Sequence, residues 1–276
     1  MIIEFRVENH RSIREEQVLS FEAARLGDPE DPRLRNVDGY KKPLLPVIAL
    51  YGANASGKSS VLGALDFMRR AVSESHRLWA PDEGVPREPF SWGEARQKPS
   101  LFELTFIREG VRYQYGFVCD DERFLEEWLF AWPRGRKQRW FERDGQAFQF
   151  GEHFSGPNEV VAEVTRRNAL FASTGLQLSH GQLEPLGRQF ADSLGSTLPM
   201  NLHSEVAAAF FEGWIGESAK RGGLSQSFAM TVLVEMLQEA DLGISDIRVA
   251  DTPEDGSSRP RLEFPPSCSR SPRTRR

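Results

Sequence analysis

The sequence predicts an α/β fold in which a glycine-rich loop joins a short apolar strand to a helix. The loop, 52–59, reads Gly-Ala-Asn-Ala-Ser-Gly-Lys-Ser and lies between an apolar run at 47–51 and a helical pattern at 60–70. Runs of alternating apolar and polar residues between 101 and 150 predict an antiparallel β meander after this helix. Helical patterns dominate from Asn158 onward and predict a helical subdomain.

Each element is justified by its own pattern along the chain. Alternation at 2–8 and 17–22 predicts two strands, and the prolines and glycines of 26–43 and 80–100 predict loops. The loop helix is expected to end near His76, and Asp144-Gly145 marks a hairpin turn in the meander. Further helices are predicted at 158–168, 182–194, 203–215 and 224–240, and further strands at 247–249 and 261–264.

The length of 276 residues allows one large domain or two smaller ones. We expect four regions, which are an N-lobe with the antiparallel β subdomain at 1–156, a helical subdomain at 157–245, the start of a second core half at 246–264, and a disordered basic tail at 265–276. The tail is rich in Arg, Ser and Pro, so it is either a basic arm for nucleic acid or the product of a truncation or frameshift.

Composition excludes several classes of protein. The net charge of −5 gives no general argument for nucleic-acid binding, although a local basic groove is compatible with it. Two cysteines form neither a disulfide framework nor a metal cluster, and the five histidines show no metal-ligand spacing. The N-terminus lacks an apolar signal core, and no stretch approaches the roughly 20 apolar residues of a membrane helix. The sequence thus predicts a cytoplasmic protein without a membrane contact.

The loop at 52–59 has the form G-x-x-x-x-G-K-S of a phosphate-binding P-loop. A helix N-terminus carries partial positive charge, and glycines let its backbone N–H groups approach phosphate oxygens. Lys58 adds a charge for the β- and γ-phosphates of ATP, and Ser59 offers a hydroxyl to Mg²⁺. The predicted binding residues are Gly52, Ala53, Asn54, Ala55, Ser56, Gly57, Lys58, Ser59 and Ser60.

The chain also resembles a known family in its opening residues. Asn9-His10-Arg11-Ser12 follows the first strand, and Leu19-Ser20-Phe21 precedes the P-loop, as in the AAA15 or AAA family ATPase group. That group is similar to the ABC-type ATPase heads of RecF, SMC and Rad50 and to overcoming-lysogenization-defect nucleases. His10 stands where the group usually has Phe. Weaker landmarks of the group are resembled at Phe102-Glu103, Tyr113-x-Tyr115-Gly116, 125–129, 168–173 and 241–244.

The resemblance implies a P-loop NTPase of the ABC/SMC-head type with the β meander and the helical subdomain inserted after the P-loop helix. It further implies that Arg11 and Ser12 lie near the nucleotide phosphates or base. A homodimer or a complex with a partner protein, a DNA or effector transaction, and a role in phage defence are implied in the same way. On the residues alone, Arg11 is equally well explained as an arginine of a turn.

The acids that such an ATPase needs for Mg²⁺ and for the attacking water are less evident. Asp120-Asp121-Glu122 ends an apolar strand, but it also suits a turn of the meander. Val232-Leu233-Val234-Glu235 lacks the aspartate and lies in a helical pattern. Leu178-Ser179-His180-Gly181-Gln182 spells an ABC signature and precedes a helix, although the resembled group has a helical linker there. The expected explanation is a C-terminal truncation before the second half of the ATPase core.

Three functions therefore follow from the sequence, in decreasing order of support. The first is an ATPase lobe in which ATP drives dimerisation. The second is a nucleotide-binding interaction module that hydrolyses nothing itself and needs a partner for the missing acids and signature. The third is a GTP switch, which the lack of an N-K-x-D element for guanine disfavours.

Overall fold

The computed structural model describes residues 1–24, 32–53, 56–193, 248–250 and 261–263. The chain divides into two compact units, Met1–Tyr51 with Gly57–Thr197, and Gly52–Ser56 with Leu198–Arg276. The helices predicted at 203–215 and 224–240, the acidic stretch at 232–235 and the basic tail lie outside the described residues. The boundaries between the four predicted regions stay predictions.

A seven-stranded antiparallel sheet forms the framework of the first unit, with the strand order β2-β1-β3-β4-β5-β6-β7. The predicted meander is confirmed, because β3 to β7 pair in sequence order as successive hairpins. The first strand pairs with β3, so the N-terminus adds to the edge of the meander. The strands are β1 Ile2–Glu8, β2 Gln17–Ser20, β3 Ser100–Arg108, β4 Val111–Cys119, β5 Phe124–Trp132, β6 Gln138–Asp144 and β7 Ala147–Phe150.

Four α-helices accompany this sheet among the described residues: α1 Lys58–Glu74, α2 Asn158–Val164, α3 Phe171–Gln177 and α4 Glu184–Ser193. Short 3₁₀ helices lie at Gly93–Gln97 and Gly181–Leu183. The predicted helix at 158–168 ends four residues early, whereas the one at 182–194 is confirmed. The sequence missed α3, because its first five residues are all buried and leave no amphipathic period to recognise.

Aromatic side chains join α1 to one face of the sheet. Phe67 of α1 lies with its ring centroid 4.9 Å from that of Phe102 on β3, which in turn lies 5.3 Å from Phe117 on β4. All three side chains are essentially excluded from solvent. Burial of each such ring stabilises the fold by about 1.5–3 kcal/mol, so this contact fixes the height of α1 above the strands.

The buried parallel strand predicted at 47–51 is wrong. These residues form no strand, and Val47 and Tyr51 are 77% and 91% exposed. An apolar run becomes a buried strand only when neighbouring strands pair with it on both sides. The strands of the described sheet follow an antiparallel order that leaves 47–51 outside it.

The second unit contains a two-stranded antiparallel ladder. It consists of β8 Arg248–Ala250 and β9 Arg261–Glu263, with Val249 opposite Leu262. Both strands fall where the sequence predicts them, within one residue at each end for β8.

The C-terminal end of α1 is tied to the segment before α3. Arg166 donates through Nη2 to the carbonyl oxygens of Ser75 and His76 at 3.0 and 2.9 Å. Ser75 Oγ accepts the Leu170 N–H at 3.1 Å, and Ser173 Oγ accepts the His76 N–H at 3.1 Å. A guanidinium suits the last carbonyls of a helix, where the helix dipole is negative.

A buried carboxylate holds that segment against the sheet. Glu127 on β5 accepts the Phe171 and Ala172 N–H groups at 2.7 and 2.9 Å, and the Tyr115 hydroxyl donates to it at 2.9 Å. Arg143 Nη1 lies 3.6 Å from Glu127 Oε2, and neither side chain is exposed. Burial raises the pKa of Glu127, whereas Arg143 and these hydrogen bonds oppose the rise. Two of the weaker landmarks in the sequence, 125–129 and 168–173, therefore meet here.

Replacing Glu127 by Ala should lower the free energy of unfolding by about 3–5 kcal/mol, because it leaves Arg143 buried without its partner. The matched control is Glu126→Ala, since Glu126 is exposed on the same strand and should change stability by less than about 0.5 kcal/mol. Urea unfolding of both variants measures the difference. Equal midpoints would show that Glu127 does not hold this region.

Candidate functional site

The second half of the G-x-x-x-x-G-K-S loop begins α1. Gly57 precedes the helix with φ 92°, a left-handed conformation that glycine adopts without strain, and α1 starts at Lys58. Within the described residues, no side chain caps this N-terminus and the first turn contains no acidic residue. A 17-residue helix thus presents the positive end of its dipole at the position where the sequence predicts phosphate.

The first half of the loop, Gly52–Ser56, belongs to the second compact unit. Gly52, Ala53 and Ser56 are exposed, and the Ser56 N–H donates to the Ala53 carbonyl at 3.3 Å. This turn agrees with a loop rather than a strand or helix. Asn54 and Ala55, which the sequence also predicts as binding residues, lie outside the described residues.

Three predicted side chains follow Gly57 with different exposures. Ser59, the predicted Mg²⁺ ligand, is exposed, and Lys58 is half-buried. Ser60 is only 8% exposed, and its Oγ lies 2.7 Å from Ser12 Oγ. The structure therefore brings Ser12 next to the first turn of α1, and Ser60 contacts Ser12 instead of facing solvent. That Ser12 lies near a nucleotide stays a prediction.

Arg11 lies alongside the same helix. Its Nε and Nη2 donate to the two carboxylate oxygens of Glu88 at 2.9 and 2.7 Å. The Arg11 backbone N–H also donates to the Glu88 carbonyl at 2.7 Å. A Cβ atom added at Gly63 of α1 would come within 2.5 Å of Arg11 Nη1, so the guanidinium rests directly on the helix backbone. Sequence reasoning missed Glu88 and Gly63, because no motif connects them to Arg11.

Asn9 fixes the backbone that presents Arg11 and Ser12. Its φ of 54° is left-handed, which Asn tolerates better than most residues. The buried amide donates to the carbonyls of Ala95 and Lys98, both at 2.8 Å, and its Oδ1 accepts the Phe90 N–H at 2.9 Å. The turn is thus anchored to the loop 90–99 and does not depend on a bound ligand for its shape.

His10 points from this turn into the core. It is 1% exposed, and its ring lies 5.5 Å from Phe102 in an edge contact and 6.1 Å from Phe67. In the described part of the chain, neither ring nitrogen has a hydrogen-bond partner. Burial lowers the pKa of His10 to about 4, the charges of Arg11 and Arg70 contribute, and Glu88 opposes them. The imidazole therefore packs as an aromatic residue of the core.

The acidic candidates Asp120, Asp121 and Glu122 lie in the turn between β4 and β5. Asp120 Oδ1 accepts the Glu122 and Arg123 N–H groups, both at 2.8 Å. Asp121 Oδ1 accepts from Arg87 Nε at 2.7 Å. These contacts account for both aspartates as turn residues, and their catalytic role stays a prediction.

The signature-like segment 178–182 connects α3 to α4. Ser179 has φ 58°, His180 Nε2 lies 2.7 Å from Asn158 Oδ1, and the His180 ring stacks on Phe154 at 4.7 Å. The segment precedes a helix as its sequence predicts. Packing between α2, α3 and α4 accounts for its pattern.

A comparison with known protein families gives a match that includes the loop and α1. Residues 47–178 match the family described as AAA domain, putative AbiEii toxin, Type IV TA system. The match supports an AAA-type ATPase family. An AAA domain implies a P-loop NTPase, and the matched region contains the loop, α1 and the whole meander. No curated protein matches the chain.

Metal clusters and membrane helices are both lacking among the described residues. These residues contain no group of three or more His, Cys, Asp or Glu side chains that could hold a metal ion. No helix among them has both the length and the apolar character needed to cross a membrane.

The low pKa of His10 predicts a loss of stability in mild acid. The unfolded chain takes up a proton near pH 6.5 and the folded chain near pH 4, so stability is full above about pH 7 and falls as the pH drops through this window. Between pH 7.5 and pH 5 the loss should be about 2 kcal/mol. The contribution of His10 to this loss of stability should be absent in His10→Phe.

Urea unfolding of wild type and His10→Phe at both pH values measures this loss. The quantity compared is the difference in the free energy of unfolding between the two pH values within each protein. Any effect of the larger Phe ring on packing therefore cancels. Equal changes in the two proteins would show that His10 does not carry the acid sensitivity.

Proposed function

We propose that this chain is the ATP-binding P-loop lobe of an ABC/SMC-like AAA-family protein. The observation that carries the proposal is the start of α1. Its N-terminus follows the left-handed Gly57, carries no side-chain cap within the described residues, and lies beside Ser12 and Arg11. The family match at 47–178 supports the nucleotide-binding part of this proposal.

Each kind of group in the site would make a different contact with the nucleotide. Backbone N–H groups of Gly57–Ser60 at the start of α1 would hold the phosphate oxygens, and Lys58 would add positive charge for the β- and γ-phosphates. Ser59, which is exposed, would hold Mg²⁺ through its hydroxyl. Arg11 and Ser12 would face the phosphates or the base from the side of the N-terminal turn.

ATP hydrolysis coupled to dimerisation, and through it to an effector or to DNA, completes the proposal. A serine-glycine signature that reaches the γ-phosphate from a partner subunit would make the bound nucleotide part of the dimer interface. Phage defence is the biological setting that we propose, from the resemblance of the opening residues to the AAA family ATPase group. The description of the matched family names a putative AbiEii toxin of a type IV toxin–antitoxin system.

A second candidate is a nucleotide-binding interaction module without its own hydrolysis. The observation that favours it is the use of Asp120 and Asp121 within the β4–β5 turn, where both carboxylates already accept hydrogen bonds. A partner chain would then supply the acids and the signature. Binding of ATP is common to both candidates, and only turnover separates them.

Lys58→Ala should abolish ATP binding in the presence of Mg²⁺, because it removes the side-chain charge from the phosphate site. The control is Lys137→Ala, since Lys137 lies over the Phe130 ring on the sheet and should leave binding unchanged. Isothermal titration calorimetry measures both affinities. Unchanged binding by Lys58→Ala would contradict the proposed site.

Phosphate release from ATP by the purified wild type and by the variants Asp120→Asn and Asp121→Asn tests whether these two aspartates take part in hydrolysis. If hydrolysis occurs with acids from elsewhere, phosphate release by both variants should equal that of wild type. The amide introduced by Asp120→Asn retains an oxygen for the Glu122 and Arg123 N–H groups, so this turn should stay folded. Loss of turnover in these variants would assign Asp120 and Asp121 to catalysis, and absence of turnover in wild type would favour the interaction module.

A further inference from the structure

The Arg11 guanidinium pairs with Glu88 on one edge and lies against Gly63 of α1 on the other. The Glu88 carboxylate accepts hydrogen bonds from both Nε and Nη2 of Arg11, a bidentate geometry that fixes the plane of the guanidinium. Within the described residues, Nη1 has no hydrogen-bond partner, and the Arg11 side chain keeps 26% of its surface exposed. The pair thus fixes the guanidinium plane so that the Nη1 edge lies against α1 at Gly63, about one and a half turns from the start of this helix.

Gly63 makes this position of the guanidinium sterically accessible. The three atoms nearest to a Cβ added at Gly63 all belong to Arg11, and they are Nη1 at 2.5 Å, Cζ at 3.0 Å and Nε at 3.4 Å. Any side chain at position 63 would therefore push the guanidinium off the helix. Gly63 lies in the interior of α1, where glycine is otherwise less favourable than alanine.

We propose that Glu88 and Gly63 are positioning residues that orient Arg11 for contact with the bound nucleotide, and this rests on the proposed ATP-binding function. The segment that carries Glu88 is itself fixed, because the Arg11 N–H donates to the Glu88 carbonyl and Asn9 Oδ1 accepts the Phe90 N–H. The hydrogen bond from Arg11 lowers the pKa of Glu88, so the pair stays charged at neutral pH.

Glu88 contributes by restricting a flexible side chain and not by touching the ligand. An arginine that becomes ordered only when the ligand binds loses rotamer freedom in that step, and the lost entropy lowers the affinity. Glu88→Gln should weaken ATP binding about three- to tenfold, and Arg11→Ala about 10- to 100-fold, because the latter also removes a charged hydrogen bond. If Glu88 acts only through Arg11, Glu88→Gln should have no further effect in the Arg11→Ala background.

Gly63→Ala separates positioning from folding. Alanine is the better helix former, so the thermal midpoint should stay equal to wild type or rise, while ATP affinity falls as in Glu88→Gln. A residue with only a structural role would change stability and affinity in the same direction. These opposite directions distinguish the two roles.

The experiment is calorimetric titration of the full chain with ATP and Mg²⁺, together with thermal unfolding. The variants are Arg11→Ala, Glu88→Gln, Gly63→Ala and the double Arg11→Ala/Glu88→Gln. The matched control is Glu184→Gln, because Glu184 pairs with Arg188 on α4 and is 57% exposed, close to the 53% of Glu88. This control should leave ATP affinity unchanged.

The outcomes separate the two proposals. Binding by wild type that Lys58→Ala abolishes but Glu88→Gln and Gly63→Ala leave intact would overturn the positioning role and keep the ATP site. Additive effects of Arg11→Ala and Glu88→Gln would also overturn it. Absence of ATP binding by wild type would overturn both proposals.

Discussion

The structure of the first compact unit depends on how α1 is fixed over the sheet. Phe67 of α1 packs on Phe102 and Phe117, and this aromatic contact sets the distance between helix and strands. A helix held only at its middle could still rotate or slide. Contacts at both of its ends remove this freedom, and they come from segments that are far apart in the chain.

At the N-terminal end the contacts are small and local. The Ser12–Ser60 hydroxyl pair and the close approach of Arg11 to Gly63 hold the first two turns of α1 to the Asn9–Ser12 turn. That turn needs Asn9 in a left-handed conformation and His10 in the core. The side chains proposed to bind nucleotide are therefore positioned by residues that are buried and never meet it.

At the C-terminal end the contacts are charged and buried. One nitrogen of Arg166 serves the carbonyls of both Ser75 and His76, so a side chain of different geometry would not replace it. The segment that carries Arg166 is held in turn by Glu127, which receives two backbone N–H groups of α3 and lies beside Arg143. Such a network is costly to desolvate, and it excludes alternative packings in which any member lacks a partner.

Elements that have a pattern within their own stretch of sequence could be predicted from the sequence. Alternation specified β1 and the meander strands, the glycine-lysine pattern located the start of α1, and the Asn9–Ser12 motif marked the turn beside it. Tertiary structure decided what depends on partners distant in the chain. It left the apolar run 47–51 unpaired and formed α3, whose first five residues are all buried. It also assigned Asp120 and Asp121 to a turn and joined Glu88 and Gly63 to Arg11. The physical reason is that periodicity records which face of an element is apolar, whereas pairing, capping and ion pairs require atoms that only the folded chain brings together.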